Sequence, residues 1–294
     1  MFWDFKKAAK CSSAWALSFV VTVFAFVPEN AFSAIHTFLE KFVCSFEFVC
    51  NYCTASTVCI VCNRILLVLI VWAAFALIYW VWLWRKKSVT IENEDCKIIV
   101  QYGDILKVDN CKKVINFDEC YTTEVGQAPH QIKPTSLCGQ YLSAHPTIDI
   151  SQLLEQAQIV PARAKSKYQR KYRYESGTIL PNGDDLLLAF VPLNESGLGV
   201  FPSYKDYIDS LSLLWQEIDK YYCQKDVCLP ILGSGISRFG NGSGRSYSQQ
   251  ELLDIMIWSY KISPYKLKKP YTLRIVCQKK NNFSLNKIEA NNNH

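Results

Sequence analysis

The chain has 294 residues, half of them hydrophobic, and a formal net charge of +6, which leaves room for one good core and an appendage. The charge is uneven: residues 1–88 hold eight Lys and Arg against four acids (Asp4, Glu29, Glu40 and Glu47), while the remainder is nearly balanced. This excludes a strongly basic nucleic-acid binder, and a chain this long and core-rich does not need its thirteen cysteines as a disulfide scaffold.

Lys6, Lys7 and Lys10 precede an uncharged run from Cys11 to Val27, stopped by Pro28 and Glu29. That run is barely long enough to cross a hydrocarbon core of roughly 30 Å. A cleaved signal peptide, with Ala31-Phe32-Ser33 at the cleavage site, is the competing reading. Residues 65–84 form a twenty-residue run without charge, with Trp72, Tyr79, Trp80, Trp82 and Trp84 crowding toward its second end and Arg85-Lys86-Lys87 following. Basic residues before the first run and after the second predict a membrane hairpin with both ends inside. Between the runs, Phe32, Ile35, Phe38, Leu39, Phe42, Val43 and Phe46 recur at helical spacing, which suits an amphipathic helix on the membrane surface or in an oligomer. Cys50, Cys53, Cys59 and Cys62 form two Cys-x-x-Cys pairs only five residues apart. That spacer is short for a zinc site, and helix packing, palmitoylation or a disulfide are the other readings.

Residues 88–95 read as a polar linker. Beyond it, strands are expected at 97–101 and 114–116, loop over most of 118–140, and a helix at 148–157. Arg163, Lys165, Lys167, Arg170, Lys171 and Arg173 alternate with Tyr168, Tyr172 and Tyr174; a solvated strand edge or a face toward anionic headgroups is more economical here than nucleic acid. Pro181 to Asp185 signals a hairpin between 177–180 and 186–191. Ser203 begins an amphipathic helix with Tyr207, Leu211, Leu214 and Ile218 on one stripe.

The apolar run 227–232 reads as a buried strand. It breaks into Gly233-Ser234-Gly235 and a helix follows, opened by the capping-box pattern Ser248-Gln249-Gln250-Glu251. A strand, a glycine loop and a helix in succession suit an anion, because the backbone approaches closely and its N–H groups point at phosphate oxygens. A last strand is expected at 272–276, and the Asn- and Lys-rich tail from 279 reads as disordered. The whole predicts an α/β protein: an N-terminal two-helix transmembrane region over 1–88, a three-layer α/β/α domain over 89–278 and a flexible tail over 279–294.

The soluble part resembles a macro domain. Gly103-Asp104-Ile105 is similar to the family's early Gly-Asp-Ile motif, Val114-Ile115-Asn116 to the start of its Val-Asn-Ala-Ala-Asn strand end, and Pro230 through Phe239 to its second phosphate loop. With Ser136-Leu137-Cys138-Gly139-Gln140-Tyr141, Gly177-Thr178-Ile179 and Leu232 to Arg238, the resemblance narrows to the ThsA-type macro-domain effectors of bacterial Thoeris anti-phage defence, in the branch with two transmembrane helices. It implies an ADP-ribose-type ligand, histidine-conjugated in that branch, made by a partner TIR-domain enzyme. It also implies a multi-pass protein of the cell's inner membrane with the macro domain and both termini cytoplasmic, ligand-driven homo-oligomers, membrane disruption and abortive infection. The implied ligand residues are Asp104, Ile105 and Asn116 with Leu232, Gly233, Ser234, Gly235, Ile236, Ser237 and Arg238. Asp104 takes the adenine and the loop takes the phosphates; a salt bridge holding the loop is the other reading of Arg238.

Two departures matter. Glu119 stands where hydrolytic macro domains carry a second Asn, and the region from Thr122 to Gly139 is poor in glycine. Binding without catalysis is therefore expected, with no cofactor and no metal. A membrane-tethered ADP-ribosyl hydrolase or reader is the alternative, and a vestigial-pocket adaptor is a third reading.

Overall fold

A computed structural model describes residues 13, 18, 56–234, 238–239, 247–279 and 283–292. It divides into two compact units, Met1–Lys86 and Lys87–His294.

In the first unit, α1 (Ser56–Arg85) is 30 residues long and contains the whole charge-free run 65–84. Tyr79 stacks on Trp82 with centroids 5.6 Å apart, and the Lys86 ammonium lies 5.7 Å from the Trp82 ring. Side chains of α1 are described only from Leu69 on, Trp84 excepted, and among the described residues no helix is long and apolar enough to cross a membrane. The expected first span, apart from Ser13 and Ser18, and the segment 29–55 with Cys50 and Cys53 lie outside the described residues. Of Cys59 and Cys62 only the backbone, within α1, is described.

The second unit is built on a seven-stranded sheet. Its strands are β1 (Ser88–Glu92), β2 (Lys97–Tyr102), β3 (Cys111–Asp118), β4 (Ile179–Asn182), β5 (Asp185–Val191), β7 (Asp226–Pro230) and β9 (Leu273–Cys277), in the order β1-β2-β9-β7-β3-β5-β4. The five central strands are parallel, and the two edges, β1 on β2 and β4 on β5, are antiparallel. The short β6 (Val200–Phe201) and β8 (Arg238–Phe239) pair separately.

Period-two alternation sends successive side chains to opposite faces. Leu186, Leu188 and Phe190 enter the larger core with α4 (Tyr204–Tyr221), α5 (Gln249–Ile262) and α6 (Leu285–Asn292). Leu187 and Ala189 face α2 (Leu137–Ala144) and α3 (Ile150–Gln156). The result is three layers, α/β/α. On α4 the expected stripe is fully buried, and Ser203 caps it by accepting from Asp206 N–H at 3.2 Å. The Trp215 indole N–H donates to Ser259 Oγ at 3.1 Å, tying α4 to α5. The Ser248 and Glu251 capping box is formed as the pattern required.

The structure corrects three expectations. Residues 88–92 are not linker but the edge strand β1, because Val89 and Ile91 alternate inward at 4 % and 7 % exposure. The tail is not disordered over 283–292: Phe283, Leu285 and Ile288 are buried, and the apolar side chains return α6 to the core. The basic run 163–173 is no strand edge but a turn-rich lobe between α3 and β4. Cys96, Cys111, Cys138, Cys228 and Cys277 are buried free thiols.

Candidate functional site

A cleft of about 400 Å³ opens at the carboxyl ends of the parallel strands, where an open α/β sheet leaves a crevice between diverging connections. Gly103, Asp104 and Ile105 enter it from the end of β2, Asn116, Phe117 and Asp118 from β3, Val191 and Leu193 from β5, and Pro230, Ile231, Gly233 and Ser234 from β7.

Asp104 caps a short 3-10 turn, its Oδ1 accepting from Leu106 N–H at 3.1 Å. Its other oxygen lies 3.7 Å from the exposed Lys107 ammonium. One carboxylate oxygen thus retains acceptor capacity toward a ligand amine. Ile105 is buried and supports the turn. The Asn116 side chain makes no hydrogen bond among the described residues and sits on the cleft wall.

The loop after β7 has the geometry an anion needs. Gly233 has φ +76°, a left-handed conformation that glycine adopts without strain. Among the described residues the N–H groups of Gly233 and Ser234 meet no acceptor, while Ser234 Oγ donates to Ile231 carbonyl at 2.7 Å and holds the bend. Leu232 is different: its side chain is in the core, its N–H approaches Met256 Sδ at 3.3 Å, and its carbonyl accepts from Tyr207. It lies in the turn just past β7, where it positions the loop and does not line the cleft, because its side chain is taken up in the larger core. Gly235, Ile236 and Ser237 lie outside the described residues. Arg238 is placed by its backbone alone, in β8 beside Val200.

Reading the sequence did not put the opposite wall into the site. Ser136, Leu137 and Cys138 at the start of α2 line the cleft with Gln140, His130 and Gln131. Ser136 Oγ accepts from Gly139 N–H at 3.1 Å, while among the described residues the N–H groups of Leu137 and Cys138, both cleft-lining, meet no acceptor; such groups at a helix start suit an anion. The Ser-Leu-Cys-Gly run carried that signal, as a helix cap after Pro134. Gln249, at the start of α5, is a further lining residue.

Electrostatics distinguishes the cleft's groups. Desolvation raises the Asp118 carboxyl above its ordinary range, opposed by hydrogen bonds from Thr122 and Cys120; the Cys120 N–H lies 2.8 Å from Oδ1. Burial pushes Cys138 well up and Cys277 to about 12, so both are inert thiols at neutral pH. Glu119 does not line the cleft. It is 2 % exposed, accepts from Ser166 Oγ at 2.5 Å and Leu193 N–H at 3.1 Å, and pairs with Arg173 at 3.4 Å.

A mixed sheet between two helical layers, with loops after β2, β3 and β7 converging on one carboxyl-edge cleft, defines a domain of the macro type. The chain belongs to the family described as Thoeris protein ThsA, Macro domain, whose model matches residues 98–278. It is 25 % identical over 299 residues to Thoeris protein ThsA of Bacillus amyloliquefaciens (strain Y2), covering 97 % of this chain and 91 % of the relative. Among solved structures it is similar to a macrodomain mutant of Oceanobacillus iheyensis at 10 % identity, with a TM-score of 0.43, covering 70 % of this chain and 97 % of that one. It is also similar to the macrodomain of Thermus aquaticus DarG at 14 % identity, with a TM-score of 0.35, covering 62 % and 97 %.

Proposed function

We propose that this protein is a ligand-gated membrane effector of anti-phage defence. Its macro domain binds an ADP-ribose-type signal, histidine-conjugated, that a TIR-domain enzyme supplies. Binding drives homo-oligomers, and the hydrophobic region before residue 88 then compromises the inner membrane, ending in abortive infection. The observation that carries this reading is the meeting of Asp104, Asn116, Gly233 and Ser234 in one cleft although they come from the ends of three different strands. A carboxylate suits an exocyclic amine, and unengaged backbone N–H groups on two walls suit a diphosphate. The burial of Glu119 away from the cleft favours binding over hydrolysis, since no carboxylate at that position reaches a water beside the ligand.

Calorimetry on the full chain in detergent, with ADP-ribose and its histidine conjugate, tests the proposal together with sizing and an assay of ligand consumption. Saturable binding, unchanged ligand and a rise in mass support it. Steady consumption of the ligand makes the protein a hydrolase instead.

A further inference from the structure

The carboxyl edge carries a second feature that ligand binding does not use. From 156 to 174 there is no acid, and the eleven residues 163–173 hold six cations. The rest of the domain, by contrast, has slightly more acids than bases. The segment is a built lobe and not a loose loop. Ala162 N–H donates to Arg173 carbonyl at 2.8 Å and Ser166 N–H to Lys171 carbonyl at 3.0 Å. Ser166 and Arg173 both anchor on the buried Glu119 at the end of β3, and Tyr174 N–H donates to the Glu119 carbonyl at 2.7 Å.

What this scaffold leaves outside is cationic, aromatic and apolar. Arg163, Lys165, Lys167 and Arg170 are exposed, with Tyr172 at 64 % and Val160 at 82 % exposure. The Lys165 ammonium lies 4.8 Å from the centre of the Tyr172 ring. Cations set beside an exposed aromatic ring are what a membrane interface receives: headgroup phosphates pair with the ammonium groups while the ring sits at headgroup level.

The chain's entry into the domain lies on the same edge. Ser88 pairs with Gln101 near the end of β2, and Tyr102 N–H donates to Lys87 carbonyl at 2.9 Å. The chain therefore enters the domain at the same carboxyl edge that bears the lobe. In sequence, only Lys86 and Lys87 lie between α1 and β1. We infer that the lobe 160–173 is a docking surface for an anionic lipid bilayer, holding the carboxyl edge against the headgroups. This rests on the reading that residues before 88 lie in that membrane. The lobe also touches the cleft wall: Tyr168 stacks on the cleft-lining His130 at 6.1 Å, so docking and ligand binding share one wall.

The experiment uses the full chain in bilayer discs of phosphatidylcholine alone or with phosphatidylglycerol. Amine-reactive footprinting compares Lys165 and Lys167 with Lys268, an exposed lysine that precedes β9 at the opposite edge. In the anionic discs labelling of Lys165 and Lys167 falls about fivefold, the factor for one headgroup-bound cation, high salt restores it, and Lys268 does not change. In the variant Lys167→Gln/Arg170→Gln the protection of Lys165 weakens. Equal labelling in the two kinds of disc overturns the proposal, as does protection by a single-stranded oligonucleotide but not by phosphatidylglycerol. Failure of the chain to enter discs refutes the membrane reading by itself; anionic vesicles added to the unincorporated chain then report on the lobe, where protection supports docking and its absence overturns it.

Discussion

Glu119 shows how a position can lie beside a functional strand and serve structure alone. Its carboxylate is buried with a hydroxyl, a backbone N–H and a guanidinium directed at it. Removing the acceptor strands all three, and breaking one side of a buried ionic cluster costs about 3 kcal/mol or more. Glu119→Ala is expected to lower the urea midpoint strongly, while Glu119→Gln, which keeps a carbonyl for Ser166 and Leu193, loses much less. Equal losses in the two variants would show that the charge and not the hydrogen bonding is what matters. Asp118, next in the chain, behaves in the opposite sense. Its carboxyl is raised by desolvation, so the folded state holds its proton to higher pH than the unfolded one. Stability then falls as pH rises from about 3.9 through the raised value, and the penalty is complete above it. Asp118→Asn abolishes that part of the slope. Urea midpoints from pH 4 to 7 test it, and the difference between the two proteins isolates Asp118 from other raised carboxyls such as Asp254. Parallel pH profiles would refute the assignment.

At the scale of elements, α6 is the clearest case of packing overriding composition. Phe283, Leu285 and Ile288 are each at most 7 % exposed, and the Phe283 ring meets Tyr102 edge-on at 5.8 Å. Three such side chains contribute on the order of 5 kcal/mol, so deleting residues 283–294 is expected to destabilise the domain by several kcal/mol in urea. A truncated protein with an unchanged midpoint would mean that α6 is docked without consequence. The surrounding Asn and Lys hid this helix from a reading based on composition, just as the polar ends of 88–92 hid β1, whose apolar residues are only two. Elements with a strong local signature were legible: the stripe on α4, the capping box of α5, the buried runs of β5 and β7. Asp104 and Asn116 were picked out by the family resemblance alone and Gly233 and Ser234 by the glycine loop after a buried run; the fold brings all four to the cleft lining. The α2 wall was not legible: the Ser136 cap marks a helix start, but nothing in 136–140 says that this start borders the cleft, which depends on how the helix packs on the sheet. Leu232 was misplaced for a related reason: a contiguous motif was treated as one surface, although in the turn after β7 Leu232 packs into the core while Ile231 and Gly233 border the cleft.

For the whole molecule the proposed signal must favour the assembled state, since a ligand with equal affinity for both states shifts nothing. Moving an equilibrium from one part in a hundred to ninety-nine needs a preference of about 10⁴, or about 5.5 kcal/mol. A charged hydrogen bond of the kind Asp104 can make to an adenine amine is worth about 1.5–3 kcal/mol, a large share of that requirement. Asp104→Ala is therefore expected to raise the ligand concentration at the midpoint of oligomer formation by about ten- to a hundredfold. Because Asp104 also caps its own turn, the alanine variant loses about 1 kcal/mol of local stability in addition. Asp104→Asn separates the two effects: its amide oxygen keeps the cap and a neutral acceptor, so its midpoint falls between those of the native protein and the alanine variant. Sizing in detergent against ligand concentration measures all three, with membrane association of each protein as the control for folding. If both variants assemble at the native concentration, the adenine does not sit on Asp104.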